Sequence, residues 1–201
     1  AQAVQAMVDR HEPLRTTFTT EQGEPVQVIL PEMNIELPVI DISHLPDDEQ
    51  EAEMQRIIHE EARHTFDLAT GPLFYAKLLK LADDDHVFIF MIHHITVDAL
   101  SLDFFAEELP VLYEAFATGK PSSLPELPLQ YADFVIWQRE WMQGEVLQAQ
   151  LDYWLEQLKG NLPVSELPTD RPRPKRQQNN GSWEWLHIPP AANPAEPGVR
   201  R

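Results

Sequence analysis

The sequence predicts an α/β fold of the α+β type, on three observations. Helical periodicity is strong over Asp47–Phe66 and Asp98–Thr118. Short β-branched or apolar runs bounded by turn residues stand at Val26–Leu30, Glu36–Ile42, Leu73–Leu81 and His86–His94. With 201 residues and 43% hydrophobic content, the chain can bury one sizeable core, as a domain or as a lobe of a larger one.

Val4, Met7 and Val8 follow helix spacing, so residues 1–10 read as the end of a helix. Pro13 blocks its continuation, and the Thr-rich end of Arg10–Phe18 suggests a strand. Two short strands follow at Val26–Leu30 and Glu36–Ile42, separated by Pro31. Asp47–Phe66 is an amphipathic helix with Met54, Ile57, Ile58 and Ala62 on one face. Beyond the turn Asp67–Pro72, strands Leu73–Leu81 and His86–His94 flank the polar turn Asp83-Asp84-Asp85. Val87–Ile92 is almost continuously apolar, the pattern of a strand buried on both faces.

Asp98–Thr118 is helical in pattern, with a kink or break expected at Pro110. A Pro-rich linker, Lys120–Pro128, leads to helices expected at Tyr131–Gln143 and Glu145–Leu158, with Gly144 between them and Gly160 as a stop. The Tyr131, Phe134, Trp137, Trp141 spacing follows a helical stripe and reads as packing. From Asn161, Pro163, Pro168, Pro172 and Pro174 mark an extended crossover or linker. Ser182–Ile188 is expected as one more strand and Pro189–Arg201 as a tail.

The formal charge of −18, from 33 acidic against 15 basic side chains, disfavours nucleic acid as a partner. Cysteine is absent, so neither disulfides nor thiolate metal sites hold the fold. No apolar run is long enough to span a bilayer and no signal sequence opens the chain. The expectation is a cytoplasmic protein with no membrane partner.

The chemistry is concentrated in His93-His94-Ile95-Thr96-Val97-Asp98, at the end of the apolar run. Strand side chains alternate between faces, so one imidazole faces a given cavity and the other packs into the structure. Asp98 stands where the next helix begins; it is expected to cap that helix, to pair with a buried arginine, or both. Zinc needs three or four protein ligands, and no third ligand stands at a recognisable spacing from His94 and Asp98, so no metal is expected.

His93–Asp98 resembles the HHxxxDG signature of condensation domains of nonribosomal peptide synthetases. Arg10–Phe18 resembles the RHExLRTxF segment of the same family, and Tyr131–Gln138 its YxDFxxWQ segment. Phe66-Asp67-Leu68 with Gly71-Pro72-Leu73, and Leu167–Pro172, match further habits of these domains. Position 99 departs from the pattern, with Ala where the signature has Gly. Alanine is strained there if positive φ is needed and welcome if the position is helical.

The resemblance implies a chloramphenicol acetyltransferase-like lobe with a mixed sheet packed against helices. Residues 1–180 are then expected to be the N-terminal lobe of a two-lobed domain, incomplete at its start. Residues 181–201 would be the crossover strand and tail, with the second lobe absent.

The family joins a donor acyl or peptidyl thioester to the amine of an acceptor aminoacyl thioester. Both substrates ride on phosphopantetheine arms of carrier proteins, so no cofactor is expected to bind this chain directly. By resemblance His94 is the catalytic residue, near the attacking amine. It acts there as general base, by positioning the amine, or by stabilising charge in the tetrahedral intermediate. Imidazole ordinarily titrates near neutral pH, as the first role requires. His93 is a buried support, and Asp98 is expected to pair with Arg10 or Arg15 and brace the loop.

Expected partners are carrier proteins, the second lobe and neighbouring synthetase domains. A catalytically silent interaction module is the alternative. A glycerolipid-type HxxxxD acyltransferase lacks support, because no membrane-facing surface accompanies His93 and Asp98. A cyclising variant would carry DxxxxD in place of the histidine pair.

Overall fold

Periodicity and punctuation resolve into elements close to those expected in the computed structural model, which describes residues 1–163, 168–172, 174–176 and 186. In order they are α1 (Gln2–Arg10), a 3-10 turn (Glu12–Arg15), β1 (Thr16–Glu21), β2 (Glu24–Ile29) and β3 (Val39–Asp41). There follow α2 (Asp47–Glu61), β4 (Phe74–Lys80), β5 (His86–Ile92), α3 (Ala99–Thr118), α4 (Tyr131–Trp141) and α5 (Gly144–Gln157). The chain divides into two compact units, Ala1–Gln150 and Leu151–Arg201.

In the first unit the strands form two sheets. One is the antiparallel hairpin β1–β2, turned at Gln22 and Gly23, both with positive φ as a type I′ turn requires. The other is mixed: β4 is central, parallel to β3 and antiparallel to β5. Strand alternation gives this sheet two apolar faces. Phe74 and Ala76 pack with Val4, Met7 and Val8 of α1 and Phe105 and Leu112 of α3. Leu79 and Ile89, on the opposite face, pack with Ile57 of α2. Helices thus cover the mixed sheet on both sides, as an α+β lobe demands.

Several boundaries moved for identifiable reasons. β5 was expected to be buried on both faces, but only Ile89 is buried. It is the outer strand of its sheet among the described residues, with one paired neighbour, so its remaining apolar residues are half-buried. α2 ends at Glu61 instead of Phe66, and the Glu61 carbonyl accepts the Tyr75 hydroxyl at 3.2 Å. α3 continues through Pro110, held by Phe105 and Leu112 on either side.

The turn before β4 closes with the Gly71 N–H donating to the Asp67 carbonyl at 2.9 Å. Gly71 has φ of 61°, and a Cβ there would meet Thr17 Cγ2 at 3.0 Å, so both backbone and space select glycine.

In the second unit, the last turns of α5 lead to a Lys159–Glu156 ion pair, and the Tyr153 and Trp154 rings meet edge to face at 5.2 Å. Residues 168–172 and 174–176 are exposed and irregular. Leu167, the strand expected at Ser182–Ile188 (apart from Leu186) and the tail from Pro189 lie outside the described residues.

Candidate active site

The end of β5 separates the two histidines. Ile92 packs toward α1 and α3, so the next side chain points to the α2 face and the one after returns. His93 lies half-buried, its ring edge-on to Phe66 at 5.7 Å. The His93 N–H donates to the Leu73 carbonyl at 2.9 Å, and Nδ1 accepts the Ile95 N–H at 3.0 Å. The His93 carbonyl takes both the Thr96 N–H, at 3.0 Å, and the Thr96 hydroxyl, at 2.9 Å. His93 therefore winds the loop that follows it.

The far end of that loop is held by Asp98, the N-cap of α3. One carboxylate oxygen accepts the Ser101 N–H at 2.9 Å and the Ser101 hydroxyl at 2.7 Å, while the Asp98 N–H donates to the same hydroxyl at 3.2 Å. The hydroxyl and then the backbone N–H of Ser101 hold the Asp98 carboxyl below the usual carboxylate range. The positive end of the helix favours the same charged form.

Ala99 is the first helical residue, and Gln22 is the only non-glycine with positive φ among the described residues. Alanine is therefore unstrained where the family signature has glycine.

The ion pair expected between Asp98 and Arg10 or Arg15 is not formed. Arg10, the last residue of α1, donates to Glu108 of α3 through Nε at 3.0 Å and Nη2 at 3.3 Å. Arg15 donates to the Leu30 carbonyl and stands 3.6 Å from Glu12. The reason is helix geometry. Glu108 lies along the face of α3 that meets α1, whereas the Asp98 carboxylate is turned back onto its own helix end. Asp98 is exposed, so it braces the loop as a cap and not as a buried charge.

His94 is exposed between these two anchors and lines an open pocket of about 310 Å³. Thr16, Phe18, Gln27 and Ile29 form one wall, all on a single face of the β1–β2 hairpin because Thr16 pairs with Ile29 and Phe18 with Gln27. Glu12 and Pro13 of the 3-10 turn form a second wall, and Tyr131 and Ala132 at the start of α4 a third. Asp98 and Ser101 close the side of α3.

The Arg10–Phe18 and Tyr131–Gln138 segments thus meet the histidine loop in space. The hairpin residues Gln27 and Ile29 carry no motif that would single them out in the sequence. Their only available signal is alternation along β2, which does not say what the face looks at.

Among the described residues no side chain hydrogen-bonds to the His94 imidazole, and no group of three or more His, Asp or Glu side chains is placed to hold a metal ion. No described helix is long and apolar enough to cross a membrane. The stripe on α4 does not pack as expected. Tyr131, Phe134, Trp137 and Trp141 follow ring to ring at 6.0, 5.7 and 5.6 Å, the last pair stacked and the others tilted, but remain 43–54% exposed.

Comparison with known proteins adds to this geometry. The sequence profile of the condensation domain matches residues 1–189. One of the linear gramicidin synthase proteins of Brevibacillus parabrevis is 49% identical over 180 residues, 90% of this chain and 2% of that protein. Chondramide synthase cmdD of Chondromyces crocatus is 41% identical over 179 residues, 89% of this chain and 5% of its own length. Among solved structures, the X-domain from teicoplanin biosynthesis superposes with a TM-score of 0.72 at 28% identity, covering 86% of this chain and 38% of that one. The chain therefore spans a small part of the synthases it resembles.

Proposed function

The chain belongs to the condensation domain family of nonribosomal peptide synthetases, and from that membership we propose that it carries the histidine-bearing side of an amide-forming site. In this reading a donor acyl or peptidyl thioester meets the amine of an acceptor aminoacyl thioester beside His94. The amine nitrogen attacks the thioester carbonyl, the C–N bond forms and the C–S bond breaks. The amine gives up a proton and the donor arm leaves as a thiol. Residues 1–180 act as the N-terminal lobe of the domain. Carrier proteins bring both substrates on phosphopantetheine arms, and the second lobe and neighbouring synthetase domains complete the surroundings.

The observation that carries the reading is His94 itself, exposed in a pocket at the tip of a loop pinned at both ends by His93 and Asp98. A histidine that serves as a strong general base is commonly oriented by a partner on its second nitrogen. Among the described residues none hydrogen-bonds to the imidazole; the nearby Asp98 carboxylate accepts from Ser101 through one oxygen and acts on His94 through its charge alone. That favours holding the amine, and steadying charge in the tetrahedral intermediate, alongside proton acceptance. The exposed aromatic stripe of α4 favours a second reading, a silent module that serves by interaction.

The test is the complete domain supplied with loaded donor and acceptor carrier proteins, with dipeptidyl product followed by mass spectrometry. His94→Ala is expected to lower the rate by about 10²–10⁴-fold with an unchanged melting temperature. Full product formation by the folded variant would sink the catalytic assignment and leave the silent module.

A further inference from the structure

One wall of the His94 pocket has space on both sides. Pro13 and Tyr131 line that pocket and also a second, more apolar cavity of about 390 Å³ bounded by Met7, Leu14, Phe104 and Leu129. Thr96, Val97 and Ser101 are likewise shared. A partition between two cavities is not held in place by packing alone, since each face lacks part of the contact that a filled core supplies. Something else must set its position.

Two side chains do so, both outside the segments quoted for the family resemblance. Glu108 reaches from α3 to the side chains of Arg10, at 3.0 and 3.3 Å, and His11, at 2.7 Å. All three are mostly buried, with side chains 14%, 16% and 24% exposed in the order Glu108, Arg10, His11. Burial acts to raise the Glu108 carboxyl, but its hydrogen bonds to Arg10 and His11 prevail and hold it below the ordinary range.

Gln130 grips the backbone of the same junction. Its Oε1 accepts the Glu12 N–H at 3.2 Å and its Nε2 donates to the Arg10 carbonyl at 2.9 Å. Residues 10–12 are thus held by side chains from one direction and by main chain from the other. Glu12 and Pro13 continue directly into the pocket wall, and Tyr131 follows Gln130 in it. Neither Glu108 nor Gln130 lines the pocket that contains His94.

Resting on the acyl-transfer reading above, we infer that Glu108 and Gln130 are positioning residues: through the Arg10–Glu12 junction they set the distance between the Pro13–Tyr131 wall and His94. The wall fixes how an acceptor amine is presented to the imidazole, so the tethers govern the reacting geometry without touching substrate. A small displacement of such a wall costs as much as about 100-fold in rate.

The experiment uses the complete domain with loaded carrier proteins. Glu108→Gln and Gln130→Ala are each expected to lower kcat about tenfold to 100-fold, with KM for both carriers held within about twofold. Glu107→Gln, an exposed neighbour on the same helix, is the control and is expected to keep full activity.

The double variant is expected to lose little more than the worse single variant, since both tethers act on one segment. Fully additive losses, a loss in the control equal to that of Glu108→Gln, or losses that vanish on cooling below the unfolding transition would overturn the inference. Amide hydrogen exchange over Arg10–Phe18 is read in the same variants and is expected to rise. Unchanged exchange there refutes the tethers whatever the activity. Failure of the amide-forming reading is instead recognised by His94→Ala, which would then match wild type.

Discussion

α1 and α4 carry apolar stripes of the same helical period, and their surroundings differ completely. Val4, Met7 and Val8 of α1 are 4%, 1% and 0% exposed, against Phe74 of β4 and Phe105 and Leu112 of α3. No residue of α4 is buried, although its stripe is built from larger rings. Burying a side chain of this kind stabilises by roughly 1.5–3 kcal/mol, so α1 is part of what holds the unit together. α4 is instead fastened at its first turn, where Gln130 holds the Arg10–Glu12 backbone and its own N–H donates to Asp133 at 2.8 Å. A periodic stripe announces a face that prefers cover; it does not say whether cover is present. An exposed run of neighbouring aromatic rings is the kind of surface that marks an interaction site.

The contrast is tested most severely in α1. Met7→Ala is expected to lower stability by about 2–5 kcal/mol, read by urea or thermal denaturation, because a buried side chain shared by α1, β4 and α3 is removed. A loss below that range would mean that α1 is not the organiser of the core.

Next in size is the acid sensitivity of the α1–α3 contact. The Glu108 carboxyl is depressed in the folded state by Arg10 and His11 against the opposing effect of burial. A depressed carboxyl adds stability above its unfolded pKa, about 4.3, and loses it as pH falls through the folded value. Melting temperature is therefore expected to fall on acidification below about pH 5. Glu108→Gln is expected to be less stable at neutral pH and to show a shallower acid limb. An equally steep limb in the variant would place the acid sensitivity in other carboxyls, such as Asp41, Asp67 and Asp98, which are also held low.

Asp98→Ala comes third. As an exposed cap it is expected to cost far less than the loss of one member of a buried ion pair, about 3–5 kcal/mol. Chemical denaturation separates the two cases cleanly. The smallest effect belongs to α4. Trp137→Ser is expected to change stability by no more than about 0.5 kcal/mol while lowering the Trp fluorescence that acrylamide quenches. A large loss of stability would show that the ladder supports the fold.

Much of the architecture was legible in the chain itself. The helix over residues 2–10, the strands that became β4 and β5, and the start of α3 at Asp98 were each marked by local period or capping chemistry. The histidine loop was legible for the same reason, since strand alternation alone separates His93 from His94. The partner of Arg10 was not. Glu108 lies 98 residues away, and nothing local distinguishes it from Glu107 beside it. The hairpin wall of Thr16, Phe18, Gln27 and Ile29 was equally hidden.

What the amino-acid order decided is the kind and sequence of elements, because backbone preference, capping and turn chemistry act over a few residues. It also decided that an imidazole would emerge where an apolar strand stops. What only the folded arrangement decided is company: which carboxylate meets Arg10, which hairpin face looks at His94, and which of two apolar stripes is covered. Those outcomes depend on the rotational phase of one helix against another and on which sheet a strand joins. Such relations are settled by contacts between residues far apart in the chain, and no local pattern encodes them. The place of His94 at the end of the strand could therefore be read before the fold was known, while the hairpin face it looks at and the partner of Arg10 could not.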